Sequence, residues 1–213
     1  MRWALLLVVL AGCPGKTVES RKLDPDRFVI DFDKLTLRTD VVGEAEFAAP
    51  ATFVLIDVTN EAGVDADVDL GGDLIDKSGQ ILAPLKVASL RIPAGQKRTF
   101  ALVDDAHQAR PDATGAAVRI AVAHEATHPL PLSVERGTVH HNGDRLLASA
   151  IIRNLAERTA KVIVLGTFYD AQDRPLTRPF TVLQLDGKTS HPVEFSGPPG
   201  ATKGYIFIGD SVW

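Results

Sequence analysis

Asp65-Ala66-Asp67-Val68-Asp69-Leu70 sets an apolar side chain at every second position with a carboxylate between. A period of two is what an extended chain shows when one face is buried and the other meets water. The same frame returns 94 residues later without a gap: Asn60 falls on Asn154, Ala62 on Ala156, Val68 on Val162, Gly72 on Gly166, Asp76 on Asp170 and Leu82 on Leu176. Neighbouring positions agree in kind, Val58 with Ile152, Ala66 with Ala160, Leu70 with Val164, Leu74 with Phe168 and Ile75 with Tyr169. Further on, at an offset of 88, Ala113-Thr114 meets Ala201-Thr202 and Val118-Arg119-Ile120 meets Ile206-Phe207-Ile208. A repeat of this length predicts two similar domains.

Outward from that frame, alternation predicts strands near 28–37, 51–59, 66–76, 80–91, 97–103 and 116–123, then 132–140, 145–153, 160–170, 174–184, 190–195 and 203–209. Reversals are expected at Asp76-Lys77-Ser78-Gly79 and Asp170-Ala171-Gln172-Asp173, whose side chains suit tight turns. Asn60 and Asn154 fall at strand ends, where an amide can bond the turning backbone. Short strands with turn signals about every ten residues predict an all-β chain of two tandem immunoglobulin- or fibronectin-III-like β-sandwiches. The first spans 27–124 and the second 132–213. Pro129 and Pro131 mark residues 125–131 as the linker, since each lacks a backbone donor. A linker this short predicts a limited hinge or a packed interface.

The 213 residues carry 23 Lys plus Arg against 27 Asp plus Glu, a net charge of −4, so no basic surplus attracts nucleic acid. The single Cys excludes an internal disulfide framework and a multi-thiolate metal cluster. With 45% hydrophobic residues, a disordered chain is also excluded.

Met1-Arg2-Trp3 is a short positive start, followed by the apolar run Ala4–Leu10 and the small residues Ala11 and Gly12 before Cys13. The run is too short to span a bilayer. Leu10-Ala11-Gly12-Cys13 resembles the lipobox of bacterial lipoprotein signal peptides. The resemblance implies removal of a signal peptide, residues 1–12, and lipid attachment at Cys13, with several acyl chains holding the protein stably to a membrane. Pro14, where an Asp resembles the inner-membrane retention signal, implies the outer membrane. Residues 13–26 read as the lipidated Cys and a polar tether.

The second copy runs from Leu146-Leu147-Ala148-Ser149-Ala150-Ile151-Ile152-Arg153-Asn154 through Gly166-Thr167-Phe168-Tyr169-Asp170 to Gly204-Tyr205-Ile206-Phe207-Ile208. It resembles small bacterial envelope domains, the YcfL-like lipoproteins and the FxLYD-type domains. The first copy matches less well, because Leu74-Ile75 replaces the aromatic pair. The resemblance implies fold and compartment, and no catalytic residue comes with it.

Two patterns carry possible chemistry. His124-Glu125-Ala126-Thr127-His128 has the letters of the zinc-hydrolase motif H-E-x-x-H, which needs a helix to aim both imidazoles at one metal. Alternation through Ala117–Val122 and the prolines after it predict a strand end and a linker instead; a looser site would join His124 or His128 to His140 or His141. Asp65, Asp67, Asp69, Asp73 and Asp76 match calcium-loop positions, but Leu70 occupies the place of the turning Gly. In the second copy Thr159, Lys161 and Ile163 replace the first three acids, which favours a solvated strand face. Arg136, His140, His141 and Arg145 form a small basic cluster, also read as surface. No G-x-S-x-G motif and no phosphate-cradling Gly loop is present, and no cofactor is expected. The expected function is a lipid-anchored, non-enzymatic accessory or adaptor of the cell envelope, with a metal-dependent hydrolase or a calcium- or metal-stabilised module as alternatives. Its expected partners are the membrane and an envelope protein.

Overall fold

A computed structural model describes residues 20–43 and 48–212. Among these the regular structure is β-strand with two short 3-10 turns. The strands are β1 (Phe28–Ile30), β2 (Thr36–Val42), β3 (Ala49–Asn60), β4 (Ala66–Ile75), β5 (Ile81–Ile92), β6 (Lys97–Val103) and β7 (Gly115–Glu125). They continue as β8 (Leu132–Asn142), β9 (Arg145–Asn154), β10 (Ala160–Tyr169), β11 (Pro175–Thr177), β12 (Phe180–Leu185), β13 (Ser190–Ser196) and β14 (Lys203–Val212). The chain is therefore all-β, as the period of two predicts. The expected strand 28–37 is broken by a 3-10 turn at Phe32–Lys34, and the expected strand 174–184 is split into β11 and β12.

Every sheet is antiparallel. In the first half β3 takes β1 and β2 along one edge and β6 along the other, while β4 lies between β5 and β7. The second half repeats the order, with β9 between β8 and β13, and β10 between the β11/β12 edge and β14. Even an irregularity recurs: a bulge leaves Ala121 unopposed between Ile120 and Val122, and another leaves Gly209 unopposed between Ile208 and Asp210. Each adds local twist to its strand.

The repeated polar residues fix the same corners twice. Asn60 Nδ2 donates to the carbonyls of Val64 and Ile92, both at 2.8 Å, and its Oδ1 accepts from Ala62 N at 2.9 Å. Asn154 Nδ2 donates to Arg158 O at 2.9 Å and to Leu185 O at 3.1 Å, and its Oδ1 accepts from Ala156 N at 2.9 Å. Both side chains are fully buried, so each amide replaces lost water with backbone partners. Asp76 Oδ1 likewise accepts from Ser78 N and Gln80 N, as Asp170 Oδ1 does from Gln172 N and Arg174 N. These bonds hold both carboxyls below their usual range, with the Ser78 hydroxyl first at Asp76 and the Arg174 backbone first at Asp170.

Two hydrophobic clusters follow from the alternation. One gathers Val54, Ile56, Val58, Val68, Leu70, Leu74, Phe100 and Leu102, and the other Ile152, Val162, Val164, Phe168 and Phe195. The described residues begin inside the stretch read as tether. Leu23 N donates to Ala123 O at 2.9 Å, Glu125 N donates to Arg21 O at 2.8 Å, and Leu23 is buried in the first cluster. Full burial of a Leu side chain contributes about 2 kcal/mol, which a free tether would forgo.

Candidate binding groove between the two halves

The two halves meet through sheet faces that an isolated sandwich would leave to water. On β3 the side chains opposite the first cluster are Leu55 and Asp57, and on β10 those opposite the second are Leu165, Thr167 and Tyr169; all five are buried. Leu165 and Phe207 pack into the cluster of the first half. Arg38 adds a bond across the junction, its guanidinium donating to Leu176 O at 2.6 Å.

At the centre of the contact lies Asp57, 1% exposed. Lys97 Nζ stands 2.6 Å from Oδ2, and Thr99 Oγ1 donates to Oδ1 at 2.6 Å. From the second half the Tyr169 hydroxyl lies 3.1 Å from Oδ1 and 2.7 Å from Thr99 Oγ1. Two hydroxyl protons thus serve three contacts. Burial first, then the Asp57 charge, push the Tyr169 phenol well above its usual range, so it keeps the proton it donates. Lys97 Nζ also sits 4.8 Å from the centre of the Tyr169 ring, and Tyr205 meets that ring edge-on. A carboxylate taken out of water is tolerable only with such a partner set.

Beside this contact a groove follows β14. One part, about 420 Å³, is lined by Lys97, Arg98, Thr167, Tyr205 and Phe207, and Thr167 Oγ1 is buried there with no partner among the described residues. The next, about 460 Å³, lies between Pro93, Gln96 and Arg98 on one side and Leu130, Leu132 and Val134 on the other, with Ile206–Ile208 as its floor. Arg98 spans both parts, its guanidinium 4.9 Å from the centre of the Phe207 ring. It donates to Lys97 O and Gln96 Oε1 and forms no ion pair among the described residues. Burial holds its pKa below the usual value.

The residues singled out by sequence lie elsewhere or apart. Cys13 is outside the described residues. His124 and Glu125 end β7, where consecutive side chains point to opposite faces. Glu125 pairs with Arg21 at 2.9 Å, and His128 Nδ1 contacts Thr127 Oγ1 at 2.8 Å beyond the strand. His140 and His141 lie exposed on β8 with Arg136, and Arg145 opens β9. Among the described residues no group of three or more His, Cys, Asp or Glu is placed to hold a metal ion.

Nor do the five acids converge. Asp67 pairs with Arg91, Asp73 with Arg119, and Asp69 accepts from Ser89, all across neighbouring strands. Asp65 caps Ala94 N, while Asp76 serves its own turn. The polar contact at Asp57 was missed, although an acid inside the apolar run Phe53–Val58 is a signal for it.

No family model matches the chain, and no curated protein does. Among solved structures it is similar to red sea bream transglutaminase at 18% identity and a TM-score of 0.23, over 84% of this chain and 29% of that one. It therefore spans less than a third of that neighbour's length. It is also similar to the N-terminal CBM22-1-CBM22-2 tandem domain of Paenibacillus barcinonensis Xyn10C, at 8% identity and a TM-score of 0.18, over 90% of this chain and 87% of that one.

Proposed function

We propose that this chain is a lipid-anchored, non-enzymatic accessory protein of the cell envelope, held at the outer membrane through Cys13. In this reading two immunoglobulin-like β-sandwich domains present a binding groove in a fixed geometry. The lipobox order of residues 1–13 supports the anchor, and the matched strand orders with their two clusters support the domain division. The observation that carries the reading is the groove along β14, whose two walls come from different halves locked together through Asp57 and Tyr169. Such a lock keeps the walls in register without help from a ligand, which lowers the ordering cost of binding.

The anchor is tested by acyl labelling of the wild type beside Cys13→Ser, where only the former takes up label. The groove is tested in intact envelopes with a photo-crosslinking side chain at Tyr205, an exposed position on β14, and with a control at exposed Lys77. A discrete protein adduct from position 205 and none from position 77 is expected. Adducts with bulk lipid alone would defeat the adaptor reading.

A further inference from the structure

The two halves close the outer side of their last strand differently. In the first half Arg21–Leu23 runs antiparallel beside β7, bridging Lys22 to His124, exchanging two backbone bonds and burying Leu23. In the second half residues 127–131, which carry Pro129 and Pro131, approach the end of β14 at Gly209 and Ser211. Proline has no N–H to offer a strand edge. No backbone bond joins that stretch to β14 among the described residues, and β14 pairs with β10 alone. Along Gly204–Ile208 every second peptide group therefore faces away from β10, into the groove, as an unpaired edge does.

The apolar surface around this edge is arranged for an incoming strand. Val134, Val139 and Tyr205 are exposed beside it, and Ile206 and Ile208 are only partly covered by the second cluster. A further part of the groove, about 300 Å³, is lined by Val134, Thr138 and Val139 of β8 and by Gly204–Ile206. Five residues of strand span about 17 Å. Side chains of an added strand would alternate between Leu132, Val134 and Ile206 on one side and Arg98 and Phe207 on the other. Arg98 is the cation on that second side with no ion pair among the described residues, Asp65 in the same part of the groove acting on its charge from beyond ion-pair distance, and this favours a carboxylate on the occupant.

We propose that β14 accepts an extended segment of a partner protein as an antiparallel strand, with apolar side chains at alternate positions and one carboxylate paired with Arg98. This rests on the adaptor reading and names the chemistry of its partner. Backbone bonds along Gly204–Ile208 supply affinity, and the apolar wells and Arg98 supply selectivity. Arg21–Leu23 beside the end of β7 shows the same chain adding an edge segment in cis.

The test uses the full chain in detergent with the probe acetyl-Thr-Val-Thr-Val-Glu-Val-Thr-amide. Hydrogen exchange at the Gly204–Ile208 amides is expected to slow about tenfold or more at saturating peptide. A peptide with proline at its second and fourth positions should give no protection. Replacing the peptide's Glu by Gln should weaken binding about tenfold to the wild type and leave binding to Arg98→Gln unchanged. Unchanged exchange at Gly204–Ile208 with millimolar probe, protection confined to another strand, or protection arising from self-association without peptide would each overturn the proposal. Crosslinking at Tyr205 that persists while the strand test fails removes this mode of binding and leaves the adaptor reading standing. Strand addition without any crosslinked envelope protein does the reverse.

Discussion

Removing one oxygen from the contact between the halves offers the sharpest check on how they are held. In Tyr169→Phe the ring stays, so the Lys97 cation keeps its aromatic face, and Asp57 keeps Lys97 at 2.6 Å and Thr99 at 2.6 Å. What disappears is one proton shared between Asp57 and Thr99. A hydrogen bond to an ionised acceptor contributes about 1.5–3 kcal/mol, and because Asp57 is not orphaned the lower part of that range, about 2 kcal/mol, applies. For a chain of this size that lowers the melting midpoint by about 4–8 °C. Asp57→Ala is expected to cost more, about 3 kcal/mol, since it leaves Lys97, Thr99 and Tyr169 without their acceptor. The decisive measurement is the double-mutant cycle, read by urea unfolding with far-ultraviolet dichroism. A coupling of about 1–2 kcal/mol between positions 57 and 169 is expected, since they touch although 112 residues apart. Additive losses, or a Tyr169→Phe cost below about 0.5 kcal/mol, would refute the view that this contact joins the halves.

Other perturbations probe separate parts of the molecule. Asn60→Ala and Asn154→Ala should each cost about 2–4 kcal/mol in chemical denaturation, with similar values because their bonding is duplicated. Gly72→Ala should cost about 3 kcal/mol or more, since its Cβ would meet Ala117 O at 2.2 Å, and Gly166→Ala should also destabilise, since its Cβ would come within 2.8 Å of the buried Phe195 ring. Burial tends to raise the Asp104 carboxyl, but the Arg110 bond at 2.9 Å and the Gln108 N–H outweigh it and leave it below 3.8. Its folded value being depressed, its stabilisation is complete above the unfolded pKa of about 4 and is lost as pH falls through the folded one, so Asp104→Asn should flatten the acid limb of a pH–stability curve. Burial lowers Arg178 to about 10 with no acid partner among the described residues to compensate, so Arg178→Met should stabilise by about 1–3 kcal/mol; a loss of stability would reveal an acidic partner.

The strands, both reversals at Asp76 and Asp170 and the duplicated Asn corners were legible because each rests on local chemistry: alternation, a short acceptor side chain, an amide at a strand end. The 3-10 turn at Phe32–Lys34 was not, because Phe32 and Leu35 carry apolar residues past it, whereas the break between β11 and β12 falls on Arg178-Pro179, a proline signal that the expected strand ran through. Leu23 was missed for another reason. A lone Leu among charged neighbours carries no period, and only the vacant edge of β7, a hundred residues away, gives it a place.

The groove and the contact beside it were encoded in departures from the repeat. On the outer face of β4 stand Asp67, Asp69, Gly71, Asp73 and Ile75; at the matching places of β10 stand Lys161, Ile163, Leu165, Thr167 and Tyr169. Three acids suit a face turned to water, and each meets a partner on an adjoining strand. Replacing them leaves β10 with a nearly continuous apolar run from Val162, the pattern of a strand covered on both sides. Phe53–Ile56 on β3 shows the same loss of alternation, so the two strands whose outer faces meet are the two whose period fails. Within one copy the alternation reports which face is core. Between copies the difference reports which outer face is covered, and β14, lying beside β10 on that face, receives its groove from the first half as a consequence.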